Sequence, residues 1–371
     1  METKKYRFDE VTINFDKKRI PLSSAQREKR QGMFRYYGAQ GVIDHVDDYI
    51  FEGTYLLIAE DGENLKSKKQ NIAQVVDGQF WVNNHAHIVQ GNEQCDTRFL
   101  CYLINSMDLS GYITGSAQPK LSQANLNAVT LSLPTLAEQK RIVEYLYMLD
   151  QKIDVNRQIN DNLQQQAAAL FSSLYDRSNT EVRFTDLIQI LGGGTPKTGE
   201  NTYWNGNIAF FTPKDVGIPY TLITEKTISK EGLSHCNSRL YPVNTVFVTA
   251  RGTVGKVGMS GVPMAMNQSC YALVGKETHQ LLVYFYTLKA VDRLKHKASG
   301  AVFDAITTRD FESEQIMKLS DDDATAFLRV AEPMFQEVLN NNIENLRLST
   351  LRDSLLPKLM SGEIDVSAVQ L

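Results

Sequence analysis

Ten positions between Ile142 and Leu174 recur at alternating spacings of four and three: Ile142, Leu146, Leu149, Ile153, Asn156, Asn160, Leu163, Ala167, Leu170 and Leu174. This is a heptad seam, and a seam of this length dictates a long helix lying against another helix. Pro134 stands just before it and suits a helix start. About 39 residues at about 1.5 Å each make a rod of roughly 58 Å. Asn156 and Asn160 interrupt the apolar run, and a buried Asn in such a seam fixes register. A second stripe, Phe327, Ala331, Phe335, Val338, Leu339, Ile343, Leu346, Leu351 and Leu355, marks a second long helix, which Pro333 is expected to interrupt and Pro357 nearly to end. Antiparallel pairing of the two helices buries both stripes most economically; the alternative is that each packs on its own globular domain.

Each helix follows a Gly-rich, strand-rich segment, so the chain reads as one unit written twice. Phe8–Ile13 lines up with Phe184–Gln189, and Leu56–Gly62 with Val246–Gly252. Val82–His85 lines up with Ala265–Gln268, and Gly115–Ser122 with Gly300–Thr307. The offset stays between about 176 and 190 residues, far above the roughly 20 to 50 of solenoid repeats, so this is a duplicated domain. Short apolar runs such as Tyr55–Ala59, Ile208–Phe211 and Val246–Ala250 read as strands, while Thr97–Met107 and Gln280–Lys297 read as helices. Each unit is therefore expected to be α/β.

No run of eighteen apolar residues occurs, and METKKYRFDE lacks the apolar core of a signal peptide, so a cytoplasmic location is expected and no membrane partner. Cys95, Cys101, Cys236 and Cys270 form no C-x-x-C pair and read as reduced thiols. The net charge of −4 argues mildly against nucleic acid, but its distribution does not: residues 177–318 carry 16 Lys and Arg against 12 Asp and Glu. Residues 17–35 hold Lys17, Lys18, Arg19, Arg27, Lys29, Arg30 and Arg35 with only Glu28 opposing, a stretch suited to phosphate contact or to a solvated surface loop.

Catalytic signatures are missing. There is no Pro-Pro dipeptide of the kind an adenine-methylating pocket uses, and no G-x-x-x-x-G-K-[ST] phosphate loop. Leu191–Lys197 is Gly-rich but opens no helix, and reads as a flexible loop. His85 and His87 stand two apart, which on a strand puts both on one face, but no third ligand is in register, so no metal site is expected.

At this point the residues resemble a known family, the DNA-specificity subunits of type I restriction-modification systems. The matching stretches include Tyr36–Gly41, Glu60–Gly62, Trp81–His87, Leu133–Gln139, Gly193–Pro196 with Tyr203-Trp204, Phe211–Asp215, Ala250–Lys256 and Leu355–Gly362. Each is weak alone; together they span nearly the whole chain in order. The second copy departs from the pattern: it has Leu319-Ser320-Asp321-Asp322-Asp323 where the first has Leu133-Pro134-Thr135-Leu136-Ala137-Glu138-Gln139, so the second helix start is expected to differ.

The resemblance implies a fold of two α/β target-recognition domains separated by two long antiparallel coiled-coil helices, with a pseudo-twofold internal repeat. The domains would be residues 1–132 and 177–319, and the helices 133–176 and 320–371, the last with the C-terminal tail. It implies a non-catalytic subunit that reads a bipartite, asymmetric site on double-stranded DNA. Its partners would be two methyltransferase subunits and ATP-dependent restriction subunits. S-adenosylmethionine, ATP and Mg would be bound by those partners, with no cofactor in this chain.

Base edges are read by Arg, Lys, Asn and Gln, and phosphates by Lys, Arg and hydroxyls. On that chemistry the candidate DNA contacts are Arg35, Tyr36, Asn83, Asn84, His85, Gln118 and Lys120 in the first unit. In the second they are Lys197, Lys214, Arg251, Lys256, Asn267 and Gln268. Glu60-Asp61 aligns with Ala250-Arg251, an exchange of acid for base beside a shared Gly; the acids could accept from cytosine or simply cap a turn. Two other classes stay open: a stand-alone DNA-modifying enzyme, which would bind S-adenosylmethionine by itself, and a coiled-coil scaffold, which would bind no duplex. A closer variant is the specificity subunit of a fused restriction-methyltransferase system.

Overall fold

The structure, a computed structural model, describes residues 2–68, 70–115, 118–217, 219–297 and 305–364. They form two compact units, Met1–Gln151 with Leu348–Leu371 and Lys152–Arg347.

The first unit is built on a six-stranded mixed sheet. From edge to edge its strands are Thr12–Asn14, Ala86–Gly91, Phe51–Ala59, Ala73–Val82, Gln31–Gly38 and Gly41–Val46. Only Gln31–Gly38 and Ala73–Val82 pair in parallel. Side chains alternate along a strand, so the run around Leu57 feeds two cores. Leu56 and Ile58 pack with Phe99, Leu103, Ile142 and Leu146, while Leu57 packs with Phe51, Phe80 and Ile88 on the other face. The helix Thr97–Ser106 supplies Phe99 and Leu103, and Asp96 caps it by accepting from the Arg98 and Phe99 amides.

The second unit carries a five-stranded sheet in the order Ile188–Gly192, Cys270–Gly275, Val246–Thr249, Val257–Ser260, Tyr220–Thr221. A three-stranded sheet, Lys226–Ile228, Trp204–Phe211 and Met264–Met266, accompanies it. The helix Gln280–Lys297 buries Phe285 against Phe171 and Phe327, with ring centroids 4.9 and 5.2 Å away.

The duplication is visible bond by bond. Each copy of the repeat has an early strand (Lys4–Arg7, Thr180–Arg183) that pairs antiparallel with the strand leading into a long helix (Thr130–Leu133, Gln315–Lys318). The Phe8 amide donates to Val129 O and the Phe184 amide to Glu314 O, both at 2.9 Å. The Leu121 amide donates to Glu60 O and the Ile306 amide to Ala250 O. Three of the four aligned landmarks thus keep the register read from the sequence, although Ser116, Ala117 and residues 300–304 of the last lie outside the described residues. The fourth slips by one. Asn83 corresponds to Asn267, not to Met266, because the Asn83 amide donates to Tyr37 O as the Asn267 amide does to Phe211 O, each at 3.0 Å.

Both long helices, Leu136–Asp176 and Asp321–Ser361, have 41 residues. The second is continuous through Pro333, contrary to the expected interruption, and Pro357 stands in its last turns, close to its end at Ser361. Both prolines face solvent, where water can take the carbonyls left without a partner. The helix starts use one device despite their different sequences. Thr135 and Glu138 form a capping box, and Ser320 accepts from the Asp323 amide at 3.1 Å. Gln139, fully buried, adds bonds to Gln94 O and Pro134 O at 3.0 Å; its counterpart Ala324 adds none.

The helices run antiparallel within the second unit. Asn156 Nδ2 donates to Glu344 Oε2 (2.7 Å) and Asn345 Oδ1 (2.9 Å). Asn160 donates to Asn342 Oδ1 and accepts from Asn341 Nδ2, both at 2.9 Å. In the first unit Arg352 Nη1 meets Asp150 Oδ1 at 2.6 Å. Along the seam Ile142, Leu146, Ile153, Asn156 and Asn160 are buried, and Leu149, Leu163 and Leu170 partly buried. The two asparagines are not equivalent: Asn156 Oδ1 is buried with no hydrogen-bond partner among the described residues, whereas Asn160 satisfies the buried Asn341. Asn160→Leu should therefore destabilise the protein by about 1 to 3 kcal/mol, the cost of a stranded buried polar group. Asn156→Leu should be neutral or stabilising; urea unfolding of the two variants checks the contrast.

Candidate nucleic-acid interface

At one end of each main sheet the backbone closes the same polar turn. Asn83 Oδ1 accepts from the His85 amide at 2.8 Å, and Asn267 Oδ1 from the Ser269 amide at 3.0 Å. The Glu60 amide donates to His85 O, and the Ala250 amide to Ser269 O. Isolated bridges then pair Asp61 with Lys120 and Arg251 with Ala305. Side chains that differ between the units are carried on this shared frame: Glu60-Asp61, Asn84, His85 and Lys120 in the first, Ala250-Arg251, Gln268, Ser269 and Ala305 in the second.

In the first unit this rim is tied into an ionic network. Glu60 takes Arg19 at 3.0 Å and Lys120 at 3.3 Å. Arg19 also donates to Ala86 O at 2.7 Å, and Asp61 Oδ2 lies 2.7 Å from His85 Nδ1. Neither acid caps a turn with its side chain: Glu60 is spent on Arg19 and Lys120, and Asp61 on the His85 ring. Asn84 and Gln118 are exposed. Arg35 is exposed on the strand Gln31–Gly38 and donates to Asp77 O at 3.1 Å.

In the second unit Arg251 is exposed and its guanidinium engages no acceptor among the described residues. Gln268 Oε1 accepts from Thr195 Oγ1. Thr253 Oγ1 donates to Pro213 O at 3.3 Å, which brings the turn bearing exposed Lys214 beside the Arg251 loop. Lys256 is exposed, its main chain bonded to Thr249. Lys197 is exposed as well, and its carbonyl accepts from Trp204 Nε1. The loop through Gly193 and Gly194, read from the sequence as a flexible one, lies close against the Asn267 turn. A Cβ at Gly193 would stand 2.2 Å from Asn267 O, and the Gly194 amide donates to Met266 O, so the loop is packed against the frame.

Several candidates prove structural. Tyr36 is fully buried, and its hydroxyl accepts from the Leu22 amide at 2.8 Å, so it belongs to the core. Asn83 is buried and, like Asn267, uses its carbonyl oxygen to hold its own turn. The stretch 17–35 meets more acid than Glu28. Arg19 pairs with Asp16 and Glu60, Arg27 with Asp44, and Arg30 with Asp47, leaving Lys17, Lys18, Lys29 and Arg35 as its exposed cations outside those pairs. Apart from Asp16, three residues from Arg19, these partners lie far off in the sequence, which hid them. His85 and His87 do not share a face: His85 sits in the turn, while His87 is buried between Asp16 Oδ2 (2.6 Å) and Leu121 O (2.8 Å). No cluster of metal-ligating side chains occurs among the described residues. Burial pushes the Cys95, Cys101 and Cys270 thiols up to about 12, which removes them as nucleophiles.

The type I restriction modification DNA specificity domain family matches residues 2–165 and again 177–318. The chain belongs to this family. Its members are specificity subunits, non-catalytic components of type I systems. The chain is 36% identical over 138 residues to a candidate type I restriction enzyme specificity subunit of Haemophilus influenzae, a match spanning 37% of this chain and 35% of that one. It is 24% identical over 401 aligned positions to the HindI specificity subunit of the same organism, covering 84% of each. The fold is similar to the crystal structure of the type I S subunit from M. genitalium, with a TM-score of 0.63 at 14% identity over 97% of this chain and 96% of that one. Two α/β domains with an internal repeat are thus shown. No helix among the described residues is long and apolar enough to cross a membrane.

Asp16 is the buried pivot under the first rim. Burial pushes its pKa up, but the His87 ring, the Ile88 amide and Arg19 outweigh that and hold it below the usual carboxylate value. A folded-state value below the unfolded one stabilises above the unfolded pKa of about 3.9 and is lost as pH falls through the folded value. Asp16→Asn should lower the urea midpoint at pH 7 and flatten its fall below about pH 4; urea titrations at stepped pH check both.

Proposed function

We propose that this chain reads a bipartite, asymmetric site on double-stranded DNA and positions methyltransferase and restriction subunits on it. Residues 1–132 and 177–319 act as the two target-recognition domains, and the helices of 133–176 and 320–371 hold them apart. S-adenosylmethionine, ATP and Mg are bound by the partner subunits.

The observation that carries the reading is the twin turn. One backbone frame presents an acidic and histidine-bearing rim in one unit and an arginine, glutamine and serine rim in the other. Domains that served only as scaffold would have no need of identical turns with opposed polar chemistry. Arg251 suits guanine O6 and N7, to which a guanidinium donates two bonds. Gln268 and Asn84 carry the amide chemistry that pairs with adenine. Lys197, Lys214, Lys256, Lys120, Gln118 and Arg35 suit phosphates or neighbouring base edges.

Mapping methylated adenines in a host carrying this chain and its methyltransferase partner tests the reading. The expected motif has two different halves separated by a gap of fixed length. Arg251→Ala should weaken binding by about 1 to 3 kcal/mol and relax one half only. A single symmetric motif, or an Arg251→Ala variant with both halves and affinity unchanged, contradicts it.

A further inference from the structure

We infer that Asp61 and His85 form one specificity element in which Asp61 is a positioning residue and His85 the contacting side chain, accepting from an exocyclic amino group on a base edge. This rests on the DNA-reading function proposed above.

The pair is not needed to build the turn that carries it. The second unit closes the same turn with Arg251 and Ser269 in these places, through the same Asn carbonyl, the same strand-end amide bond and the same bridge. Nor does the pair hold much of the fold together. His85 is about half exposed, at 49%, where solvent screens such a contact and little of the fold's stability rests on it. A contact that neither the turn nor the fold requires is free to serve recognition.

Its geometry fixes what His85 can do. The main chain of His85 is held by Asn83 Oδ1 and by the Glu60 amide, and that of Asp61 by its bridge to Lys120. With both backbones fixed, the 2.7 Å contact from Asp61 Oδ2 to Nδ1 fixes the ring. An ionised carboxylate only accepts, so Nδ1 carries the hydrogen and the neutral ring offers Nε2 as an acceptor. Nε2 meets no partner among the described residues. The complementary groups in the major groove are adenine N6 and cytosine N4. Arg251, at the position of Asp61, offers only donors, so the two units ask opposite hydrogen-bond questions at one place in the frame.

The test uses the full chain assembled with its methyltransferase partner, and competition between the wild-type duplex and duplexes changed one base pair at a time. His85→Ala and Asp61→Ala should each lower discrimination about tenfold at the same base pair of one half-site, with the other half unchanged. The double variant should lose no more than either single one. Asp61→Asn, whose amide oxygen still accepts from Nδ1, should keep wild-type discrimination. Thermal midpoints within a few degrees of wild type keep the comparison free of misfolding. Additive losses, an Asp61→Asn variant as impaired as Asp61→Ala, or unchanged discrimination in His85→Ala overturns the element while leaving two-part reading intact. A wild-type motif without two distinct halves overturns the parent reading.

Discussion

In both units a single asparagine carbonyl, that of Asn83 or Asn267, captures the amide two residues on and closes the turn at the end of the sheet. The bond is local and owes nothing to the neighbouring side chains. Because the turn is closed by its own backbone and one amide, the residues around it are released from structural duty. Asn84 and His85 can stand where Gln268 and Ser269 stand, and Asp61 where Arg251 stands, without rebuilding the strands beneath. That separation of frame from surface is what a recognition module needs, since specificity then changes at small cost in stability.

The first unit shows the other side of the arrangement. Its rim is anchored by Arg19, Asp16, Glu60 and His87, polar side chains that are largely buried and mutually paired. Breaking one member strands the rest, so these residues constrain the site without being available to DNA. Among the described residues the rim of the second unit shows no such network, and Thr249, Thr253 and the packed glycines at 193 and 194 hold it with neutral bonds. One topology thus supports two electrostatic surfaces.

Much of this was legible in the sequence, and the parts that were not share a cause. The heptad seam, the doubled unit, the helix Gln280–Lys297 and three of the four aligned landmarks follow from local periodicity, which survives in a linear reading. The slip at Asn83 did not show, because four weakly matched letters cannot fix register while strand pairing can. An alignment anchored on the two asparagines would have found it. The burial of Tyr36 and the pairing of Arg19, Arg27 and Arg30 were hidden because partners such as Leu22, Glu60, Asp44 and Asp47 lie many residues away in the sequence. Pro333 misled because its cost depends on which face of the helix it occupies. The unlike helix starts misled because a Ser-x-x-Asp cap and a Thr-x-x-Glu cap perform the same chemistry.

If the frame is shared and only its side chains differ, recognition should move with those side chains. The most direct measurement is the methylated-adenine motif of a chain in which Arg251→Asp, Gln268→Asn, Ser269→His and Ala305→Lys copy the first rim onto the second. The account predicts that the first half-site is kept and the second shifts toward it. A folded variant that still methylates the original second half-site would contradict it.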